Sequence, residues 1–151
     1  MNAQLASFLE EGLSIHLATR SAALEADGAR VAAVKVEEDG EHLVAYVPAV
    51  AAGPLLRDIE DNGQAALVFT RPTDERGCQV KGVATGTREA REDERAFVVA
   101  QWERFRDTLE QVGFPRVASD GWVVWPAIAV RVRVGAMFDQ TPGPGAGRPL
   151  P

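Results

Sequence analysis

The clearest pattern along the chain is a two-residue alternation of apolar and polar positions. From Ala127 to Val134, Ile128, Val130, Val132 and Val134 face one way and Arg131 and Arg133 the other, as in a half-buried strand. Leu13 to Arg20, Arg30 to Glu37, His42 to Val47 and Cys78 to Arg88 also read as strands. Ala65 to Thr70 is a continuous apolar run, which predicts a strand buried on both faces. Asp39-Gly40 predicts a tight hairpin, because both residues tolerate the positive φ that such a turn needs. A turn containing Asp27-Gly28 is expected to feed the strand that starts at Arg30. Trp122 to Trp125 is expected to begin another short strand.

Three segments follow a helical period instead. Ala3 to Glu11 puts Leu5, Phe8 and Leu9 on one face, and Gly12 ends it. A helix near Pro54 to Asp61 turns Leu55, Leu56 and Ile59 inward, with Asn62-Gly63 as its C-terminal cap. Glu92 to Gln111 is the longest. Val98, Trp102, Phe105 and Leu109 recur at helical spacing, and Glu92, Asp93 and Glu94 favour its positive N-terminus.

Six strands with hairpin turns and peripheral helices predict a mainly β domain, an antiparallel barrel over residues 1–140. A Greek-key sandwich gives much the same pattern. Gly82 and Gly86 fall where a barrel strand can bend sharply. Residues 141–151, TPGPGAGRPLP, hold too much proline and glycine for regular structure. That tail is expected to be disordered or laid extended along a surface.

Composition narrows the function classes. The chain has 151 residues and a net charge of -6, with its bases dispersed, which argues against a nucleic-acid partner. No apolar run reaches the roughly 20 residues of a membrane-spanning helix. Met1 to Glu11 lacks a basic region followed by an apolar stretch, so a cytoplasmic protein is expected. The single cysteine, Cys78, excludes an internal disulfide and a Cys-rich metal site, and reads as a small core residue. His16 and His42 lie on expected strands without metal-ligand spacing, so no metal is expected. Dinucleotide and phosphate-loop signatures are absent, as are HExxH and GxSxG.

One ordered constellation remains: Leu17-Ala18-Thr19-Arg20, then Arg30-Val-Ala-Ala-Val-Lys35, then Leu43-Val-Ala-Tyr46-Val47. It continues with Asn62-Gly63-Gln64-Ala65-Ala66-Leu67-Val68-Phe69 and ends at Glu75-Arg76-Gly77-Cys78-Gln79-Val80-Lys81-Gly82. This order resembles the pyridoxamine 5'-phosphate oxidase-like family, over roughly residues 13 to 88. The resemblance implies a six-stranded antiparallel split β-barrel that binds FMN in clefts between the subunits of a homodimer. It matches Arg30 and Lys35 to the residues that approach the flavin phosphate and ring, and Tyr46 and Val47 to the pair on the following strand. It matches Gln79 to the glutamine that reaches the flavin from the other subunit, with Lys81 beside it. Many members carry Ser-Arg-Lys after the third strand. Here that stretch reads Pro48-Ala49-Val50-Ala51-Ala52-Gly53, and only Arg57 is close by.

The implied function is a flavoprotein, an FMN-dependent oxidoreductase of a small molecule. The C-terminal substrate motif of true pyridoxamine phosphate oxidation is missing from Val134 to Pro151. The rival readings are a non-catalytic dimer that binds flavin or haem, for storage or stress protection, and a dimer that has lost its ligand. Residue by residue the alternatives are plainer. Arg30 and Lys35 could be exposed strand charges, Gln79 and Lys81 a polar face, and Tyr46 half-buried packing. Trp122 and Trp125 are candidates for a dimer interface or a ligand wall.

Overall fold

The computed structural model describes residues 1–151. Seven strands form one antiparallel sheet: β1 (Ser14–Arg20), β2 (Ala26–Val31), β3 (Ala33–Val36), β4 (His42–Pro48), β5 (Gln64–Thr70), β6 (Gly77–Glu89) and β7 (Ala127–Asp139). Their order is β2-β1-β5-β6-β7-β4-β3. The two edge strands are therefore consecutive in the chain, and the sheet must curl until its edges approach each other. Ala32 lies at that seam, where its N–H donates to Tyr46 O at 2.8 Å. The result is a curled half-barrel, split between β2 and β3.

The seam corrects the strand count from six to seven. Val31 and Val34 both belong to the barrel interior, while Ala32 and Ala33 belong to a second cluster outside it. A continuous strand alternates its side chains, so it cannot send two successive residues the same way. The expected strand from Arg30 to Glu37 is consequently two short ones. Asp27-Gly28 is not a turn either. It sits within β2, where Asp27 pairs with Thr19 and Gly28 with Ala18. Trp122 to Trp125 forms no strand, because aromatic contacts hold Trp122 at 5.6 Å from Trp102 and 5.9 Å from Phe114, ring centre to ring centre.

Three helices close the structure: α1 (Ala3–Leu9), α2 (Ala49–Asn62) and α3 (Arg95–Gln111). Leu5, Phe8 and Leu9 of α1 and Ala52 and Leu55 of α2 join the interior core. Helix α2 starts at Ala49, ahead of the expected Pro54, and carries that proline inside it. Pro54 removes the N–H that would bond to Val50 O. Val50 is exposed, so water can meet that carbonyl. Gly63 ends α2 at φ +69°, a conformation that glycine adopts at little cost, and its N–H donates to Ile59 O at 3.0 Å. The α2–β1 contact includes a buried polar pair: Thr19 Oγ1 donates to Asp58 Oδ2 at 2.7 Å.

Helix α3 lies outside the barrel, against β3. Its buried face holds Val98, Trp102 and Phe105 as the spacing predicts, and also Gln101. The Gln101 amide accepts from Val34 N–H and donates to Val34 O at 3.1 Å and to Glu10 O at 2.8 Å. These bonds satisfy the free edge of β3, which would otherwise present bare backbone groups.

The long β6–β7 pair bends at two bulges. Between Lys81 and Gly82 the extra residue is Gly135, and between Ala84 and Gly86 it is Thr85. A Cβ at Gly82 would lie 2.2 Å from Arg133 O, so only glycine fits there. Strand β7 runs past the expected Val134 to Asp139. Beyond it the tail turns back, with Leu150 N–H donating to Met137 O at 2.8 Å and Leu150 packed against the core. No helix is long and apolar enough to cross a membrane.

Candidate functional site

The most ligand-like concavity lies where the seam meets the start of α2. It has a volume of about 390 Å³ and is mostly apolar, with Ala32, Pro48, Val50, Ala51, Trp102 and Trp122 among its walls. That volume falls within the range of small-molecule sites. Arg30 is the only charged residue lining it. Its guanidinium lies 4.9 Å from the centre of the Trp122 ring and 5.4 Å from that of Phe105, and Nη1 donates to Ser14 Oγ at 3.3 Å. Burial pulls its pKa below the ordinary arginine value. Arg30 has no carboxylate partner, so a cation is held half-buried without its counter-charge. At the same wall, no side chain caps the N-terminus of α2. Ala49 N–H donates to Pro126 O at 2.9 Å, and the amides of Val50 and Ala51 at the cleft wall favour a negative group nearby.

The other expected site residues do not all gather here. Lys35 shares the outward face with Arg30, because the seam cancels one step of the alternation, but it is exposed and does not line the cleft. Val47 is fully buried in the barrel core. Arg57 is exposed on α2. Tyr46 is buried, with its hydroxyl donating to Glu94 Oε1 at 3.0 Å and its ring 6.1 Å from that of Phe97. Burial, aided by Glu94, pushes the Tyr46 pKa up to about 12. The bond from Arg88 holds Glu94 down at about 2.

Gln79 lies farther round the sheet. Cross-strand register runs Arg30–His16–Val68–Gln79–Phe138 over β2, β1, β5, β6 and β7. At about 4.8 Å per strand, Gln79 stands roughly 14 Å from Arg30 on the same outward row. Lys81 is exposed one row further along, with Nζ 5.2 Å from the Phe138 ring centre. A single chain thus separates the expected residues into an Arg30 group and a Gln79–Lys81 group.

Outside these groups, Cys78 is buried, and burial raises its thiol to about 11, as a core residue requires. Glu37, Asp39 and His42 come together at the β3–β4 hairpin. Their acceptors are already engaged. Glu37 takes two bonds from Arg131 at 2.8 and 2.7 Å, and Asp39 Oδ2 meets His42 Nδ1 at 2.7 Å. The sequence motifs miss Pro48 and Trp102 of the cleft wall, and Ser14 and Phe105, which touch Arg30. Only Trp122, a large aromatic outside the expected core, carries a sequence-level signal for a ligand wall.

No protein-family model and no curated protein matches the chain. Solved structures match along nearly its whole length. HupZ from Group A Streptococcus is 16% identical with a TM-score of 0.60, covering 98% of this chain and 99% of that one. An F420 reductase is 20% identical with a TM-score of 0.55, covering 87% and 93%. An FMN-binding protein from Syntrophomonas wolfei is 11% identical with a TM-score of 0.51, covering 88% and 86%. The chain has the split-barrel fold of the pyridoxamine 5'-phosphate oxidase-like proteins.

Proposed function

We propose that the protein is a homodimeric FMN-binding flavoprotein that acts as an oxidoreductase on a small molecule. The observation that carries this reading is Arg30: an uncompensated, half-buried guanidinium in an apolar cleft beside an uncapped helix start. An oxyanion with a flat apolar body fits that donor set. Arg30 and the amides of Val50 and Ala51 would hold the phosphate, and Trp102 and Trp122 would offer apolar surface to the ring. When bound, FMN supplies the redox chemistry, and the chain supplies binding and orientation.

The separation of Gln79 from Arg30 supports the dimer. The family resemblance has Gln79 reach the flavin from a second copy of the chain, and its place outside the Arg30 cleft of its own chain fits that arrangement. The fold shared with an FMN-binding protein and an F420 reductase agrees with a flavin-type ligand.

The test combines three measurements on the purified protein. Added FMN is expected to bind saturably, as read from its visible absorbance. Light scattering is expected to give twice the 16.2 kDa chain mass. NADH or NADPH is expected to bleach the bound flavin. An intact dimer that binds no FMN would overturn the flavin reading. Bound FMN that no nicotinamide donor reduces would overturn the oxidoreductase.

A further inference from the structure

The outward side of β1, β5 and β6 carries a second concavity, distinct from the Arg30 cleft. It is a groove of about 380 Å³ whose lining includes Ala18, Ala66, Gly82, Arg20, Gln64 and Lys81. Register explains its shape. Gly28, Ala18, Ala66, Lys81 and Ala136 form one cross-strand row, and four of the five are glycine or alanine. The floor is therefore low, and a flat molecule could lie against the sheet.

Two cations flank that floor from different strands. Arg20 stands on β1 and Lys81 on β6, with Ala66 of β5 between them. Arg20 makes one side-chain hydrogen bond, to the neighbouring Ser21 O at 3.3 Å. Lys81 rests beside the Phe138 ring. Neither forms an ion pair, in a chain whose acids outnumber its bases by 22 to 16. Seven of the sixteen cations form ion pairs, as in Arg88–Glu94, Arg116–Asp107 and Arg131–Glu37, and Arg20 and Lys81 are among the nine that do not. The two outward rows through Arg30 and Lys81 contain no carboxylate.

We propose that the groove between Arg20 and Lys81 is an oxyanion-binding site for a phosphate- or carboxylate-bearing small molecule. Arg20 offers a planar fork and Lys81 a point charge, so together they suit a group with two negative oxygens. Gln64 adds an amide at the rim. This assigns Lys81 to the groove rather than to the Arg30 cleft, and it holds whatever fills that cleft.

Calorimetric titration of the full-length protein with inorganic pyrophosphate tests the site. Wild type is expected to bind saturably. Arg20→Ser combined with Lys81→Ser should weaken binding at least about tenfold, since each charged hydrogen bond contributes substantially. Arg30→Ala, which removes the phosphate-binding arginine of the other cavity, should keep a saturable pyrophosphate site that the added Arg20→Ser and Lys81→Ser weaken at least about tenfold. Matching thermal melts establish that the variants fold. Absence of saturable binding, or a double variant that binds like wild type, would overturn the proposal. So would loss of binding in Arg30→Ala alone, which would move the anion to the cleft. FMN titrated against the same variants reports on the flavin reading separately.

Discussion

The Arg30 guanidinium lies 4.9 Å from the centre of the Trp122 ring, a cation–π contact that ties β2 to the segment following α3. That segment is also anchored from its other side. Arg106 donates to Ser119 Oγ at 2.8 Å and to Arg116 O at 3.1 Å, and also pairs with Asp120. The wall of the cleft is thus pinned at both ends. Trp122→Ala removes the cation–π contact and two aromatic neighbours. It should lower stability by about 1–3 kcal/mol in urea unfolding. Unchanged stability would mean that Trp122 is not packed as described.

The buried Thr19–Asp58 bond fastens α2 to the barrel. Thr19→Val leaves the Asp58 carboxylate buried without its donor and should cost about 2–3 kcal/mol. Thr19→Val combined with Asp58→Leu should recover most of that loss, because no charge is then left buried. A double variant as unstable as the sum of the single ones would show that the two residues do not interact.

Gln101 makes a similar prediction at the β3 edge. Gln101→Leu deprives Val34 N–H and O of their partner and should cost about 2–4 kcal/mol. The effect should be local as well. Amide hydrogen exchange at Val34 is expected to accelerate more than exchange in β5. Equal protection in variant and wild type would contradict the edge role.

Two shifted groups set opposite pH limits. Glu94 is held at about 2, chiefly by the bond from Arg88, below its ordinary value of 4.5. Its contribution is fully present above that ordinary value and is lost as pH falls towards about 2. Tyr46 is raised to about 12, chiefly by burial, from an ordinary 10. Its contribution is present below that ordinary value and is lost as pH rises through the folded one. Urea unfolding between neutral and acid pH should therefore show a shallower loss for Glu94→Gln than for wild type. Identical acid profiles would show that the Arg88–Glu94 pair does not contribute to acid stability.

Most of the barrel was readable because its strands carry the two-residue alternation and its turns carry glycine. What escaped reading depends on tertiary closure. The break at Ala32–Ala33 has no local marker, since alanine fits either face and the run Val31 to Val34 is uniformly apolar. Gln101 reads as a polar interruption of an apolar helix face, and only the exposed edge of β3 explains it. Trp122 to Trp125 has strand-forming residues, yet Trp122 is taken up by Trp102, Phe114 and Arg30. For the site, the motifs single out Arg30, which the fold sets on the outward face of β2 beside the cleft. The cleft beside it is built by α2 and the Trp122 segment, which lie far apart in sequence.

Under the proposed function, Arg30 holds the acidic end of a bound flavin. FMN titration of wild type and Arg30→Ala, read by visible absorbance with melts confirming the fold, tests it most directly. Wild type is expected to bind saturably and the variant at least about tenfold more weakly, the scale of a lost charge-assisted hydrogen bond. FMN affinity that is the same in both proteins would contradict it.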